Sequence, residues 1–158
     1  MRTVNVGLVG LGTVGGGVVD IFKKHAENFR RRAGVDIRLV RVADLNAERF
    51  AQLELDPAIC TTDAFDVVND PNVDILIELI GGTGIAHKVV IDALNAGKRV
   101  VTANKALMAT AGQEVLDLSE AKGLDVRFEA SVGGGIPIIG PLKHSLIANE
   151  ISAVMGII

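Results

Sequence analysis

The sequence predicts an α/β domain: a doubly wound, mostly parallel sheet with helices on both faces. Three observations predict it. Short apolar, β-branched runs alternate with longer helical stretches, the pattern of repeated strand–helix–strand units. The first run, Val4 to Gly10, passes directly into a glycine-rich turn and then a helix. The composition also fits: among 158 residues, 49% are apolar, 3% are aromatic and 18 are glycine. That is enough apolar material for one full core, with turns where backbone must approach something closely.

The elements follow in order. Val4 to Gly10 reads as a strand. Val14 to about Asn28 reads as a helix, with Val18, Ile21, Phe22 and His25 at helical spacing on one face. Ile37 to Ala43 is a second strand, followed by a turn near Asp56-Pro57 and a short helix around Ala64 to Val68. Val73 to Ile80 is the strongest strand signal. Ile85 to Asn95 is a helix stopped by Ala96-Gly97. Arg99 to Ala103 is a strand, Ala111 to Lys122 a helix ended by Gly123, and Asp125 to Ala130 a strand. Gly133-Gly134-Gly135 forms a loop, Pro137 to Ala148 a helix, and Ile151 to Ile158 a last strand. An apolar strand at the end of a chain implies that the polypeptide continues past it. One domain over residues 1–158 is expected, with any further domain outside this chain.

Bulk properties narrow the function classes. Net charge is −3, and the densest basic patch, Arg30-Arg31-Arg32, reads as a solvated helix end, so no nucleic-acid partner is expected. The single cysteine, Cys60, excludes an internal disulfide and reads as an inert thiol in a reducing compartment. No leader opens the chain and no apolar run reaches membrane-spanning length, so a cytoplasmic protein without a membrane partner is expected.

The chemistry begins at Gly10-Leu11-Gly12-Thr13-Val14-Gly15, a G-x-G-x-x-G at a strand-to-helix turn. Gly10 permits the tight turn, Gly12 lets a pyrophosphate approach the backbone, and Gly15 lets helix and strand pack closely. The free N–H groups of the helix start then hold the phosphates. This is the fingerprint of a Rossmann-like dinucleotide site; a Walker loop is excluded, because no Lys-Ser/Thr follows the glycines. Asp44, at the end of the second strand, is placed to accept from the adenosine ribose hydroxyls and to repel a 2′-phosphate. It lies beyond the usual spacing of about 20 residues, which a long first helix can absorb. Its structural alternative is to cap the turn at Ala47. Arg41 or Arg49 can reach a 2′-phosphate, so NAD is favoured over NADP only modestly.

Two further strand ends face the expected crevice: Ile80-Gly81-Gly82-Thr83-Gly84 and Val101-Thr102-Ala103-Asn104-Lys105. Lys105 is the one lysine so placed, able to hold a substrate oxygen or pass a proton, or else a surface lysine at a helix start. Glu78, inside an apolar strand, is either a buried structural carboxylate or a cofactor-side group. His25, His87 and His144 share no metal-ligand spacing and read as surface or packing residues.

The segments Ile77-Glu78-Leu79-Ile80-Gly81-Gly82, Gly97 to Lys105 and Phe128 to Ile138 together resemble homoserine dehydrogenase, and the resemblance runs through the whole chain. It implies an oxidoreductase that interconverts aspartate 4-semialdehyde and homoserine with NADH or NADPH, on the route to threonine, methionine and isoleucine. It implies a substrate and dimerisation domain beyond this chain, and hence a homo-oligomer acting on a small molecule. Carried onto these residues, Gly81, Gly82, Thr102 and Asn104 lie along the cofactor and Lys105 serves both cofactor and substrate. Glu129, with backbone oxygens of Val132, Gly134 and Ile136, matches the family's sodium site. One carboxylate among carbonyls suits a hard cation. The family often has an arginine near the end of the second strand; Ala43-Asp44 stands there instead. The competing expectations are another dehydrogenase, acting on aspartate or a sugar, and a non-catalytic dinucleotide-sensing module.

Overall fold

The computed structural model describes residues 1–156. Its centre is a sheet of six strands in the order β3-β2-β1-β4-β5-β6, with every neighbouring pair parallel. The strands are β1 (Thr3–Val9), β2 (Asp36–Ala43), β3 (Cys60–Thr61), β4 (Ile75–Glu78), β5 (Arg99–Thr102) and β6 (Val126–Arg127). The helices are α1 (Thr13–Ala33), α2 (Glu48–Gln52), α3 (Ala64–Asn69), α4 (Gly84–Asn95) and α5 (Lys105–Ala121). The expected doubly wound sheet is present. Its order reverses at β1, between β2 and β4, and ligands of such sheets bind in the crevice outside the carboxyl ends at that switch.

Strand alternation sends neighbouring residues to opposite faces. Leu8 and Val42 join Leu11 and Val19 on the face covered by α1 and α2. Val9, Ala43, Leu76 and Val100 join Val89, Val90 and Leu94 of α4, and Leu107 and Val115 of α5, on the other face. Leu8, Leu11 and Leu76 are wholly buried; truncating one to alanine costs about 2–5 kcal/mol. At the amino-terminal edge the buried Lys98 ammonium donates to the carbonyls of Asp70 and Val73, at 2.6 and 2.9 Å. Burial there pushes its pKa down.

Several elements differ from the sequence expectation. Helix α1 runs on to Ala33, so Arg30, Arg31 and Arg32 form its last turn before the left-handed Gly34. Its inward face carries Gly15, Val19, Phe22, Ala26 and Phe29, while Ile21 and His25 face solvent. The spacing from Gly15 and Val19 onward, set by packing on β1, decides the face. Helix α5 begins at Lys105 rather than Ala111, because the Asn104 side chain accepts from the Leu107 N–H and caps it. The strand expected over Asp125 to Ala130 is only Val126–Arg127 and gives way to a 3-10 turn at Glu129–Ser131. The helix expected over Pro137 to Ala148 is shortened to residues 139–145, of which Pro141–Ser145 form a π-type turn. No strand forms over residues 151–156, where Val154 and Met155 are exposed and find no strand to pair with; Ile157 and Ile158 lie outside the described residues.

Candidate functional site

The glycine turn joins β1 to α1 at the switch point. Gly10 has φ +99°, and a Cβ there would stand 2.6 Å from the Leu79 carbonyl oxygen. A Cβ on Gly15 would stand 1.9 Å from the Gly10 carbonyl oxygen, so only glycine lets helix and strand meet. Around Gly12 nothing lies within 4 Å of the corresponding position. Gly12 is the N-cap of α1 and supplies no side-chain cap, and the first-turn N–H groups of Thr13, Val14 and Gly15 find no partner among the described residues. Bare N–H groups at the positive end of a long helix form a phosphate cradle.

Asp44 follows β2 and reaches back to this turn. One carboxylate oxygen accepts from the Leu11 N–H at 2.5 Å, and the other from the Asn46 N–H at 2.8 Å. Asp44 therefore does not cap Ala47; it ties the end of β2 to the glycine turn. A carboxylate has about four acceptor sites, so two remain for ligand hydroxyls. The two arginines part company. Arg41 lies on the β3 side, against the Ala58 carbonyl at 3.4 Å and Asp66 at 3.7 Å. Arg49 donates to the Leu11 carbonyl at 2.9 Å and to Gln52 at 2.6 Å. Leu11 is thus gripped on its N–H by Asp44 and on its carbonyl by Arg49.

On the other side of β1, Glu78 ends β4. Gly81 and Gly82 follow with φ +81° and +70°. Thr102 ends β5 and is buried, and Asn104 caps α5. Lys105 opens α5 with an exposed side chain at the mouth of the crevice. The carboxyl end of the sheet therefore carries the uncapped start of α1, the Asp44 carboxylate and the exposed Lys105.

A model of the family described as "Homoserine dehydrogenase, NAD binding domain" matches residues 10–129, from the first glycine of the turn to Glu129. The chain belongs to the homoserine dehydrogenase family. It is 46% identical over 158 residues to a homoserine dehydrogenase of Neisseria gonorrhoeae and 42% identical over 158 residues to that of Bacillus subtilis. Each match covers 100% of this chain and 36% of the relative, so the chain spans about a third of the length of these relatives. A homoserine dehydrogenase structure from Thiobacillus denitrificans superposes with a TM-score of 0.87 at 49% identity, covering 94% of this chain and 34% of that one. One from S. aureus gives 0.77 at 32% identity, over 86% and 34%.

In this member of the homoserine dehydrogenase family, Glu129 sits in the loop after β6. Its carboxylate accepts from the N–H groups of Ile138 at 2.5 Å, Ile139 at 2.8 Å and Gly140 at 2.7 Å. The Ile138 and Gly140 N–H groups, with a smaller share from Ile139, hold its pKa below the ordinary carboxylate range, against a small effect of burial. Gly133 and Gly134 turn the loop with φ +69° and +62°. The carbonyls of Val132, Gly134 and Ile136 accept no hydrogen bond from the described residues, whereas the Gly133 carbonyl accepts from Ile136 at 3.2 Å. The sequence pointed to Glu129 but not to the N–H groups that hold it.

The remaining titratable residues stand apart from the crevice. His87 meets Glu114 at 2.9 Å between α4 and α5, and His144 meets Arg127 at 3.0 Å. Among the described residues no cluster of three or more His, Cys, Asp or Glu side chains can hold a metal. Cys60 is half-buried, its thiol against the Asp56 carbonyl at 3.3 Å, and burial raises its pKa. Among the described residues no helix is long and apolar enough to cross a membrane.

The sequence named Arg49 and Asn104 but not what they hold, Arg49 the Leu11 carbonyl and Asn104 the start of α5, and it did not mark Gly7. A Cβ on Gly7 would lie 2.4 Å from a Val67 methyl. Only the asparagine carried a readable signal, since an Asn before a helical run marks a start.

Proposed function

We propose that this chain is the cofactor-binding part of an enzyme that interconverts L-aspartate 4-semialdehyde and L-homoserine with a nicotinamide dinucleotide, NAD(H) in preference to NADP(H). The observation that carries the cofactor reading is the glycine turn, closed to any side chain at Gly15 and open over Gly12. The Thr13, Val14 and Gly15 N–H groups would hold the pyrophosphate, and Gly10, Leu11 and Gly12 its approach. Asp44 would take the adenosine ribose. Its two unused acceptor sites match two hydroxyl donors, while an ionised 2′-phosphate offers no donor and repels the carboxylate. Arg49, which holds the same Leu11 by its carbonyl, would soften that repulsion, so the preference is modest. Family membership supports the substrate reading.

When bound, the nicotinamide gives up or receives the hydride. Gly81, Gly82, Thr102 and Asn104 would form the wall beside it. Lys105 would donate a hydrogen bond to the substrate oxygen and hold the proton that joins that oxygen on reduction. Glu129, with the free carbonyls of Val132, Gly134 and Ile136, would bind a monovalent cation, sodium by resemblance; the N–H bonds on Glu129 favour its charged form. The reading includes a substrate and dimerisation domain outside this chain, a homo-oligomer and a cytoplasmic setting. The test is NADH consumption by the full-length protein with aspartate 4-semialdehyde. Turnover is expected with NADH and, more weakly, with NADPH. Tight NADH binding without turnover would favour a sensing module; failure to bind either cofactor would overturn the proposal.

A further inference from the structure

Glu78 is wholly buried at the carboxyl end of β4. Its partners are two backbone N–H groups and a hydroxyl. One oxygen accepts from the Ile80 N–H at 2.8 Å and more loosely from the Gly81 N–H at 3.3 Å. The other accepts from the Thr102 hydroxyl at 2.6 Å. Thr102 Oγ1 in turn accepts from the Asn104 N–H at 3.0 Å, and the Asn104 amide donates to the Gly82 carbonyl at 2.7 Å. The chain of bonds therefore closes on itself. It runs from Glu78 through Thr102 and Asn104 to Gly82, then back along the glycine backbone to Glu78.

A buried carboxylate is costly unless its hydrogen-bonding capacity is met, and here three donors meet it. This ring has a further consequence. It fixes the two consecutive left-handed glycines of the loop after β4, and it fixes the cap from which α5 begins at Lys105. Both belong to the crevice wall opposite Asp44. An ionised carboxylate only accepts, so it forces the Thr102 hydroxyl to point its proton at Glu78 and leaves its lone pair for Asn104. A glutamine cannot do this. If its amide nitrogen faces Thr102, the hydroxyl accepts from both that nitrogen and Asn104 and its own proton loses its acceptor; if it faces Ile80, donor meets donor.

We propose that Glu78 is a positioning residue for the nicotinamide end of the site, acting through Thr102 and Asn104 on Lys105 and on the Gly81–Gly82 backbone. This rests on the dinucleotide reading above. It predicts that the two ends of the site respond separately, because the phosphate cradle and Asp44 lie outside the ring.

The test uses the full-length protein and two ligands, NADH and ADP-ribose, which lacks the nicotinamide. In E78Q, ADP-ribose affinity is expected to stay within about twofold of wild type, while kcat for aspartate 4-semialdehyde falls roughly tenfold or more, as misplaced reacting groups require. NADH affinity should fall several-fold. T102V, which removes the hydroxyl but keeps the shape, should reproduce the pattern, and T102S should restore it; this pair decides the matter if E78Q does not fold. An equal loss of ADP-ribose and NADH binding would make Glu78 merely structural and overturn the inference. So would unchanged kcat and NADH affinity in E78Q and T102V, while wild type still binds and turns over. If wild type binds neither ligand, the dinucleotide reading fails first and takes this inference with it.

Discussion

Alanine at Gly15 tests whether close packing defines the glycine turn, and alanine at Gly12 tests whether the proposed dinucleotide does. On Gly15 the new Cβ would sit 1.9 Å from the Gly10 carbonyl oxygen and 2.9 Å from its carbon. Both atoms are backbone, so no rotamer change relieves the contact. Reaching even 3.0 Å requires α1 and β1 to part by about 1 Å. Overpacking of this kind costs about 1–3 kcal/mol of stability. It also moves the first-turn N–H groups off their ligand. Losing one charge-assisted hydrogen bond, worth roughly 1.5–3 kcal/mol, weakens Kd by about ten- to hundredfold. Gly12→Ala should behave differently. Its Cβ meets nothing within 4 Å and its φ is −63°, so stability should stay within about 0.5 kcal/mol of wild type. The methyl group would nevertheless occupy the pyrophosphate's approach, and NADH affinity should drop by a similar factor. Gly17→Ala, on the exposed face of α1, is the control. It should gain about 0.8–1.0 kcal/mol from helix propensity and leave Kd unchanged. Urea midpoints at constant m-value give stability, and NADH fluorescence titration gives affinity. If Gly12→Ala binds NADH like wild type, or Gly15→Ala keeps both stability and affinity, the glycine argument is wrong.

Asp44→Asn should lose NADH affinity several-fold and narrow or reverse the preference over NADPH, by calorimetric titration; an unchanged ratio would mean that Arg49 sets the choice. The 158-residue chain expressed alone should bind dinucleotide but not oxidise homoserine, since it spans 36% of its relatives' length; measurable turnover would refute that division of labour. Glu129→Gln in the full-length enzyme should lower turnover more than cofactor affinity and blunt the response to added sodium at constant ionic strength, and identical cation responses in both proteins would remove the cation proposal. Because the Glu129 pKa is depressed in the folded state, its contribution is present above the ordinary carboxylate pKa and fades as pH falls through the lowered value. Amide exchange at Ile138, Ile139 and Gly140 should therefore speed up in acid, on top of the intrinsic pH dependence, in wild type and not in Glu129→Gln.

The alternation of the main strands and helices, the glycine turn, Asp44 at the end of β2 and the loops after β4 and β5 were legible in the sequence, whereas α2 and the short edge strand β3 were not. Each legible feature depends on local signals: alternation, helical period, glycine where a turn needs positive φ, and position relative to a strand end. Tertiary structure decided the rest. Which face of α1 turns inward depended on its packing against β1, so Ile21 and His25 faced solvent although their spacing suited a core. The apolar stretch at 151–156 forms no strand, because a strand needs a partner that periodicity cannot supply. Glu78 could be read two ways from sequence, because its role lies in bonds to Thr102 on a neighbouring strand. Arg49 gave no local sign of reaching Leu11. A hydrogen bond between distant residues leaves no mark on the period or composition of either segment, and only the folded chain brings its donor and acceptor together.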